Sequence, residues 1–310
     1  MTTISLGGDG YLRARDAAAQ GLSVRQLDRA VSAGLLVRVG RGVYAPPADR
    51  WPSDAHRLRV LAMDNPAGAV VSHASAATLH GLPMLRPDLS RLHLTSPSSD
   101  RGYKRKTRHL HPGNVAAADA VVIDGVRATS VERTAFDVAR TSPQGFAGAL
   151  AVLDGALRCG ADRSRMEAHG REPRTGVGVA REALRHADGL AENPGESWSR
   201  AQLILNGIPI HRLQTEVFDE HGRFVARPDF DWVDDDGKIL VVGEFDGLEK
   251  YVKYLKAGED TDSALRREKE RESRLQDLGI IVVRWTWTDL CTPKRVPNRV
   301  RIQLQRAGLL

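Results

Sequence analysis

Glu196, Asp229, Glu244 and Asp246 carry carboxylates that could together hold a cation. In "VVGEFDGLEKY" (241–251), Glu244 and Asp246 stand two apart, so on a strand they point to the same face. Asp229 and Asp231 share a face in the same way within "RPDFDW" (227–232). Val242 lies on the acids' side of the second strand, whereas Ile239, Val241 and Phe245 take the other side. Both faces begin apolar, which describes a central strand, and a carboxylate at the end of a buried strand is costly unless paired or metal-bound. A neighbouring strand can bring Asp229 beside Glu244. Converging carboxylate oxygens hold Mg²⁺ or Mn²⁺, and such an ion activates water and stabilises the leaving oxygen of a phosphodiester. Lys250 would offset the charge that develops on the phosphoryl group.

The elements that must position these acids follow in order. "ESWSRAQLILNGIP" (196–209) reads as a helix with Glu196 in its first turn, ended by Gly207 and Pro209. "FVARPDFDWVDDDGKILVVGEFDG" (224–247) reads as a hairpin turning at Asp234–Gly237. "TDSALRREKERESRLQDLG" (261–279) is a helix capped by Thr261 or Asp262 and stopped at Gly279. Its stripe of Leu265, Glu268, Glu272 and Leu275 carries two acids on the inward face, with Lys269 and Arg271 beside it. "IIVVRWTWTDL" (280–290) closes the series as an apolar strand.

At the other end, "GLSVRQLDRAVSAGLLVRVGRGVYAPP" (21–47) holds a helix and then a hairpin. Ser23 is an N-cap, Val24, Leu27 and Val31 form the apolar stripe, and Gly34 ends the helix. Two short strands then meet at Gly40-Arg41-Gly42, and an earlier helix covers roughly residues 11–19. Helix, turn, helix and basic hairpin form a winged helix-turn-helix pattern. Its second helix would present Arg25, Gln26 and Arg29 to a major groove, with Arg38 and Arg41 near phosphates on the wing. Charge agrees with a polyanionic partner on this side. Residues 1–110 hold 16 Lys and Arg against 8 Asp and Glu, and residues 111–310 hold 29 against 31.

Residues 50–188 alternate short strands and helices, without a glycine-rich phosphate loop or a nucleophile elbow. "VVIDGVRATS" reads as a hairpin turning at Asp124-Gly125, and Thr129 with Glu132 forms a capping-box signature for the next helix. His73 and His80 lie seven apart on one helical face, which invites a metal pair. No third ligand stands at a suggestive spacing, so packing or capping is the preferred reading. "DRGYKRKTRHLH" (100–111) is the strongest basic run, equally suited to a DNA backbone or a solvated loop. Asn193-Pro194-Gly195 is turn chemistry, and a domain boundary is expected near residue 189.

Two motif sets carry resemblances. "AGLLVRVGRGVY" (33–44), "VVSHASAATLHGLP" (70–83), "LHLTSP" (92–97) and "VRATSVERTAFDVAR" (126–140) resemble the abortive-infection AbiE-type antitoxins over roughly the first half of the chain. That resemblance implies an operator-binding front domain and a nucleotidyltransferase-type toxin partner. From Glu196 to near the C-terminus, the chain resembles the PD-(D/E)XK nucleases, in the very-short-patch-repair-like (DUF559-type) branch. The resemblance carries the early helical acid onto Glu196, the strand Asp onto Asp229, and E-x-D-G onto Glu244, Asp246 and Gly247. Gln214 matches a glutamine at the start of the strands. Arg271, Leu275, Gly279, Val282 and Arg284 match a late R-x-x-x-L-x-x-x-G-x-x-V-x-R pattern. Asp246 occupies the usual lysine position, so the lysine has moved to Lys250 or Lys269, or the site is disabled.

The expected architecture is an α/β multidomain chain. A winged helix-turn-helix (1–48) precedes a mixed α/β domain (49–188) and a nuclease-like α/β/α domain (189–310). The expected function is a double-stranded-DNA-binding protein with Mg²⁺-dependent endonuclease activity, in phage defence or mobile-element control. The alternative is an antitoxin-like repressor with an inert nuclease fold. Two widely separated cysteines, no apolar run of membrane-spanning length and no signal-peptide pattern point to the cytoplasm.

Overall fold

The computed structural model describes residues 5–7, 10–40, 42–48, 50–63, 66, 68–97, 101–210, 212–247 and 261–310, with only the backbone described at 261–265 and 268. Arg41 and Lys250 therefore lie outside the described residues. The chain divides into two compact units, one of Met1–Leu82 with Pro87–Val138 and one of Pro83–Arg86 with Ala139–Leu310.

The first unit opens with β1 (Leu12–Arg13), α1 (Ala14–Ala19), α2 (Val24–Ser32), β2 (Val37–Gly40) and β3 (Val43–Ala45). The start expected as a helix from residue 11 is instead a strand, because Leu12 and Arg13 pair with Tyr44 and Val43 to complete a sheet of order β1-β3-β2. Leu12, Ala17, Leu22, Leu27, Ala30, Leu36 and Tyr44 form its core. Val24, expected in the buried stripe, is exposed, since α2 turns Leu27 and Ala30 inward. Leu58, Leu61 and Ala62 of the α3 region (α3, Pro52–Leu61) pack on Tyr11, Val43 and Ala45.

The unit continues with β4 (Val70–Val71), α4 (His73–His80), β5 (Leu92–Ser96), β6 (Tyr103–Lys104), β7 (Arg108–Pro112), β8 (Ala120–Ile123), β9 (Val126–Thr129) and α5 (Val131–Thr141). The six strands order as β6-β7-β5-β4-β9-β8. Asp124 and Gly125 both adopt positive φ, which closes the expected two-residue hairpin between β8 and β9. Ser130 rather than Thr129 receives the Arg133 N–H at the start of α5, at 3.3 Å. Val60, Val71, Ala76, Leu79, Leu94 and Leu110 fill the core under α3 and α4.

The second unit holds α6 (Gly145–Arg158), α7 (Arg163–His169), α8 (Val177–His186), α9 (Pro194–Leu205), β10 (Arg212–Leu213), β11 (Val217–Phe218), β12 (Phe224–Ala226), β13 (Phe230–Val233) and β14 (Ile239–Asp246). It ends with α10 (Thr261–Asp277), β15 (Ile281–Thr286), α11 (Trp287–Cys291) and α12 (Arg295–Arg306). The last strand stops at Thr286, where Thr286 and Asp289 form a capping box that turns the chain into α11.

The sheet order is β10-β13-β14-β15, with β13 antiparallel and β15 parallel to β14. β14 is central, as its two apolar faces require. Val241 and Phe245 join Phe230, Trp232 and Trp285 in one core, whereas Val242 joins Leu275 and Ile280 in the other. Gly243 has no side chain for a structural reason: a Cβ there would meet Trp285 at 2.6 Å. Among the described residues, no helix is long and apolar enough to cross a membrane.

The boundary expected near residue 189 falls inside this unit. Asn193 is the N-cap of α9 and Pro194 its first residue, so the apparent turn is a helix start. α6 and α9 are joined by buried charge. Asp154 Oδ1 accepts from Arg200 Nη2 at 2.5 Å and from the Asp188 N–H at 2.8 Å, and Oδ2 accepts from Ser197 Oγ at 2.7 Å. Asp154→Ala should strand the buried Arg200 guanidinium and cost about 3–5 kcal/mol. Urea unfolding of this variant against wild type measures the loss.

Candidate functional site

On α2, Arg25 and Arg29 are four apart, share a face and are exposed. Gln26 serves another end. Its Oε1 accepts from Ser23 N and Ser23 Oγ, both at 2.8 Å, while Ser23 Oγ accepts from Gln26 N at 3.3 Å. This capping box fixes the start of α2 and turns Gln26 back from any groove. Arg38, expected as a wing phosphate contact, is paired with Asp28 at 2.6 Å and lies 5.5 Å from the Tyr44 ring centre. It therefore ties β2 to α2. Arg25 and Arg29 are the exposed cations of this helix, and Arg41 lies outside the described residues. Lys104, Arg105 and Lys106 are exposed on the β6–β7 hairpin, with Arg105 stacked on Tyr103 at 4.8 Å.

The carboxylates of the second unit are brought into one neighbourhood by the strand register. Asp229 immediately precedes Phe230, which pairs with Gly243, so it stands across from Glu244. Gln214, whose φ of 53° lies in the left-handed region, donates its amide to Asp229 Oδ1 at 3.0 Å and to Glu196 Oε2 at 3.2 Å. Asp229 Oδ2 accepts the Phe245 N–H at 2.7 Å. Glu196, almost fully buried in the first turn of α9, accepts the Glu192 N–H at 2.7 Å and the Asn193 side-chain amide. Gly195 lets α9 approach β14, since a Cβ there would meet Phe245 at 2.1 Å.

Glu244 is neutralised by the protein itself. Arg271 of α10 grips it with two donors, Nη1 to Oε1 at 2.6 Å and Nη2 to Oε2 at 2.8 Å. Arg284, its register partner on β15, donates Nε to Oε2 at 3.0 Å. Glu272 pairs with Arg284 at 3.2 Å, so the expected secondary acid sits in a charge network of two arginines and two glutamates. Lys269 is exposed on the outside of α10, and Asp246 is half-buried at the end of β14. Lys250 and the Glu268 side chain lie outside the described residues.

The donors around these acids are the protein's own. Among the described residues, no three of these acids place ligand oxygens close enough to share an ion. A dication at Glu244 would also face two guanidinia. The acids are spent on donors within the fold: Gln214, two backbone amides, Asn193 and two arginines. The part of Arg271 and Arg284 was carried in the sequence only as spacing, because nothing in a one-dimensional pattern tells an acid which cation will face it.

A model of the family described as "Transcriptional regulator, AbiEi antitoxin" matches residues 3–47. Residues 3–47 thus carry an AbiEi-type domain, in the segment where α1, α2 and the β2–β3 hairpin stand. Two proteins of Mycobacterium tuberculosis, uncharacterized protein MT2308 of strain CDC 1551 / Oshkosh and uncharacterized protein Rv2248 of strain H37Rv, are similar over nearly the whole chain. Each is 32% identical over 289 residues, covering 92% of this chain and 98% of the relative.

Removing the acid from this network should expose its structural weight. Glu244→Ala removes the buried carboxylate that Arg271 and Arg284 share, leaves Glu272 as the acid beside Arg284, and should cost about 3 kcal/mol. Glu244→Gln keeps the shape and part of the hydrogen bonding and should cost less, a ranking that chemical denaturation reads directly.

Proposed function

The chain belongs to the same family as MT2308 and Rv2248, and on that premise we propose that it is a DNA-binding transcriptional regulator of the antitoxin type. The observation that carries this reading is the AbiEi-type domain at residues 3–47 with Arg25 and Arg29 exposed on its second helix. In a helix-turn-helix, that helix enters the major groove, where arginine forks read guanine and neighbouring cations meet phosphates. The basic balance of residues 1–110 supports the same partner by long-range attraction. The antitoxin reading implies a nucleotidyltransferase-type toxin as the protein partner.

The carboxylate cluster is assigned here to the fold rather than to phosphodiester hydrolysis. Its acids already hold protein donors, and Glu244 is compensated by Arg271 and Arg284. What supports the nuclease-like second reading is the meeting of Glu196, Gln214 and Asp229 beside Glu244, the set the motif resemblance placed together. A plasmid-nicking assay in Mg²⁺, Mn²⁺ and EDTA separates the two. No metal-dependent cutting is expected, and cutting that needs metal and vanishes in Glu244→Gln reverses the assignment.

DNA binding is tested by fluorescence anisotropy on a duplex from the gene's own promoter region and on a scrambled duplex of equal length. Affinity for the promoter should fall steeply as salt rises. Arg25→Ala and Arg29→Ala should each weaken it by roughly 5- to 150-fold, the effect of losing about 1–3 kcal/mol of base recognition. Equal affinity for both duplexes, unchanged in these variants, would count against the reading.

A further inference from the structure

The face of the six-stranded sheet opposite Leu94 and Leu110 is histidine-rich. β5 and β7 run parallel with His93 opposite His109 and Thr95 opposite His111, so alternation sends Leu94 and Leu110 to the core and all four to the other side. His73 joins them from the β4–α4 junction, buried and with a φ of 51°. A non-glycine residue in that left-handed conformation is strained, and strain is retained where the position of a side chain matters.

The imidazoles crowd closely. His93 Nδ1 and His111 Nε2 are 3.0 Å apart. The rings of His73 and His111 stack with centres 3.6 Å apart, and those of His93 and His73 lie 5.8 Å apart. A hydrogen bond between His93 and His111 would explain one of these approaches. It does not explain why His73 is drawn out of ordinary backbone geometry to meet them. One nitrogen from each of the three lies within 4.8 Å of the others, and among the described residues this is the set of His, Cys, Asp or Glu that meets that condition.

We propose that His73, His93 and His111 form a binding site for a divalent transition-metal cation, zinc foremost. Three neutral nitrogen donors suit Zn²⁺ and its borderline neighbours and not Mg²⁺. Zn–N bonds of about 2.0–2.1 Å set tetrahedral nitrogens about 3.3 Å apart, close to the spacing of the His93–His111 pair.

The surroundings supply orienting groups. His73 Nδ1 is 3.0 Å from Ser72 Oγ, which accepts from Thr95 Oγ1 at 2.8 Å. A bound ion would cross-link the start of α4 to β5 and β7. This site lies apart from the acids of the second unit and does not rest on the DNA-binding reading.

The test uses the full chain without a polyhistidine tag, produced in zinc-supplemented medium, desalted and analysed by inductively coupled plasma mass spectrometry. About one zinc per chain is expected for wild type and for His80→Gln, with at least about a tenfold drop in His93→Gln and in His111→Gln. His80 is a suitable control because its Nε2 is engaged with the Thr129 carbonyl at 2.7 Å, outside the cluster. Glu244→Gln should keep its zinc. Cobalt replacement of wild type should give the intense visible absorption of four-coordinate Co²⁺, which decides the matter even if a variant fails to fold. Wild type without stoichiometric zinc, cobalt without that absorption, or folded His93→Gln and His111→Gln proteins that retain zinc would each overturn the proposal.

Discussion

A carboxylate at the end of a strand buried on both faces has to be neutralised, and the second unit is arranged around that requirement. β14 is central because Val241 and Phe245 pack one way and Val242 the other. Its continuation then carries Glu244 to within 3% of full burial. Water cannot solvate that charge, so α10 and β15 each deliver an arginine to it. The same solution recurs at Asp154, where Arg200, Ser197 and a backbone amide join two helices across what resembles a linker in the sequence. Compensation of buried acids thus decides both the extent of the unit and the chemical state of its most suggestive residues.

The first unit handles its charges differently. Arg25 and Arg29 stay at the surface and keep their reach, while Arg38 is drawn onto Asp28 and Tyr44 and becomes a brace. Its buried polar groups include imidazoles and hydroxyls beside one ion pair, Arg133 with Asp137 at 2.7 Å.

Much of the fold was legible locally. Ser23 as an N-cap, the Asp124-Gly125 turn, the Asp234–Gly237 turn and the double-faced apolar run of β14 each reflect interactions within a few residues, and the structure places them as their spacing predicts. The errors arose where a local signal had two meanings. Asn193-Pro194-Gly195 serves a turn or a helix start equally well, and packing of α9 on α6 chose the latter. Gln26 could face a groove or close a capping box, and the cap won because it satisfies donors that the helix start leaves open.

Periodicity over a short stretch carried the central place of β14, whereas the meeting of Glu196 and Gln214 with Asp229 beside Glu244 was implied by the nuclease resemblance. Only the tertiary structure decided which cation faces Glu244 and which histidines meet. His73, His93 and His111 come from three elements spread over 39 residues, and their nearness depends on strand register rather than spacing. Coulomb energy and ligand geometry depend on distance in space, and that distance is set by packing between elements far apart in the chain.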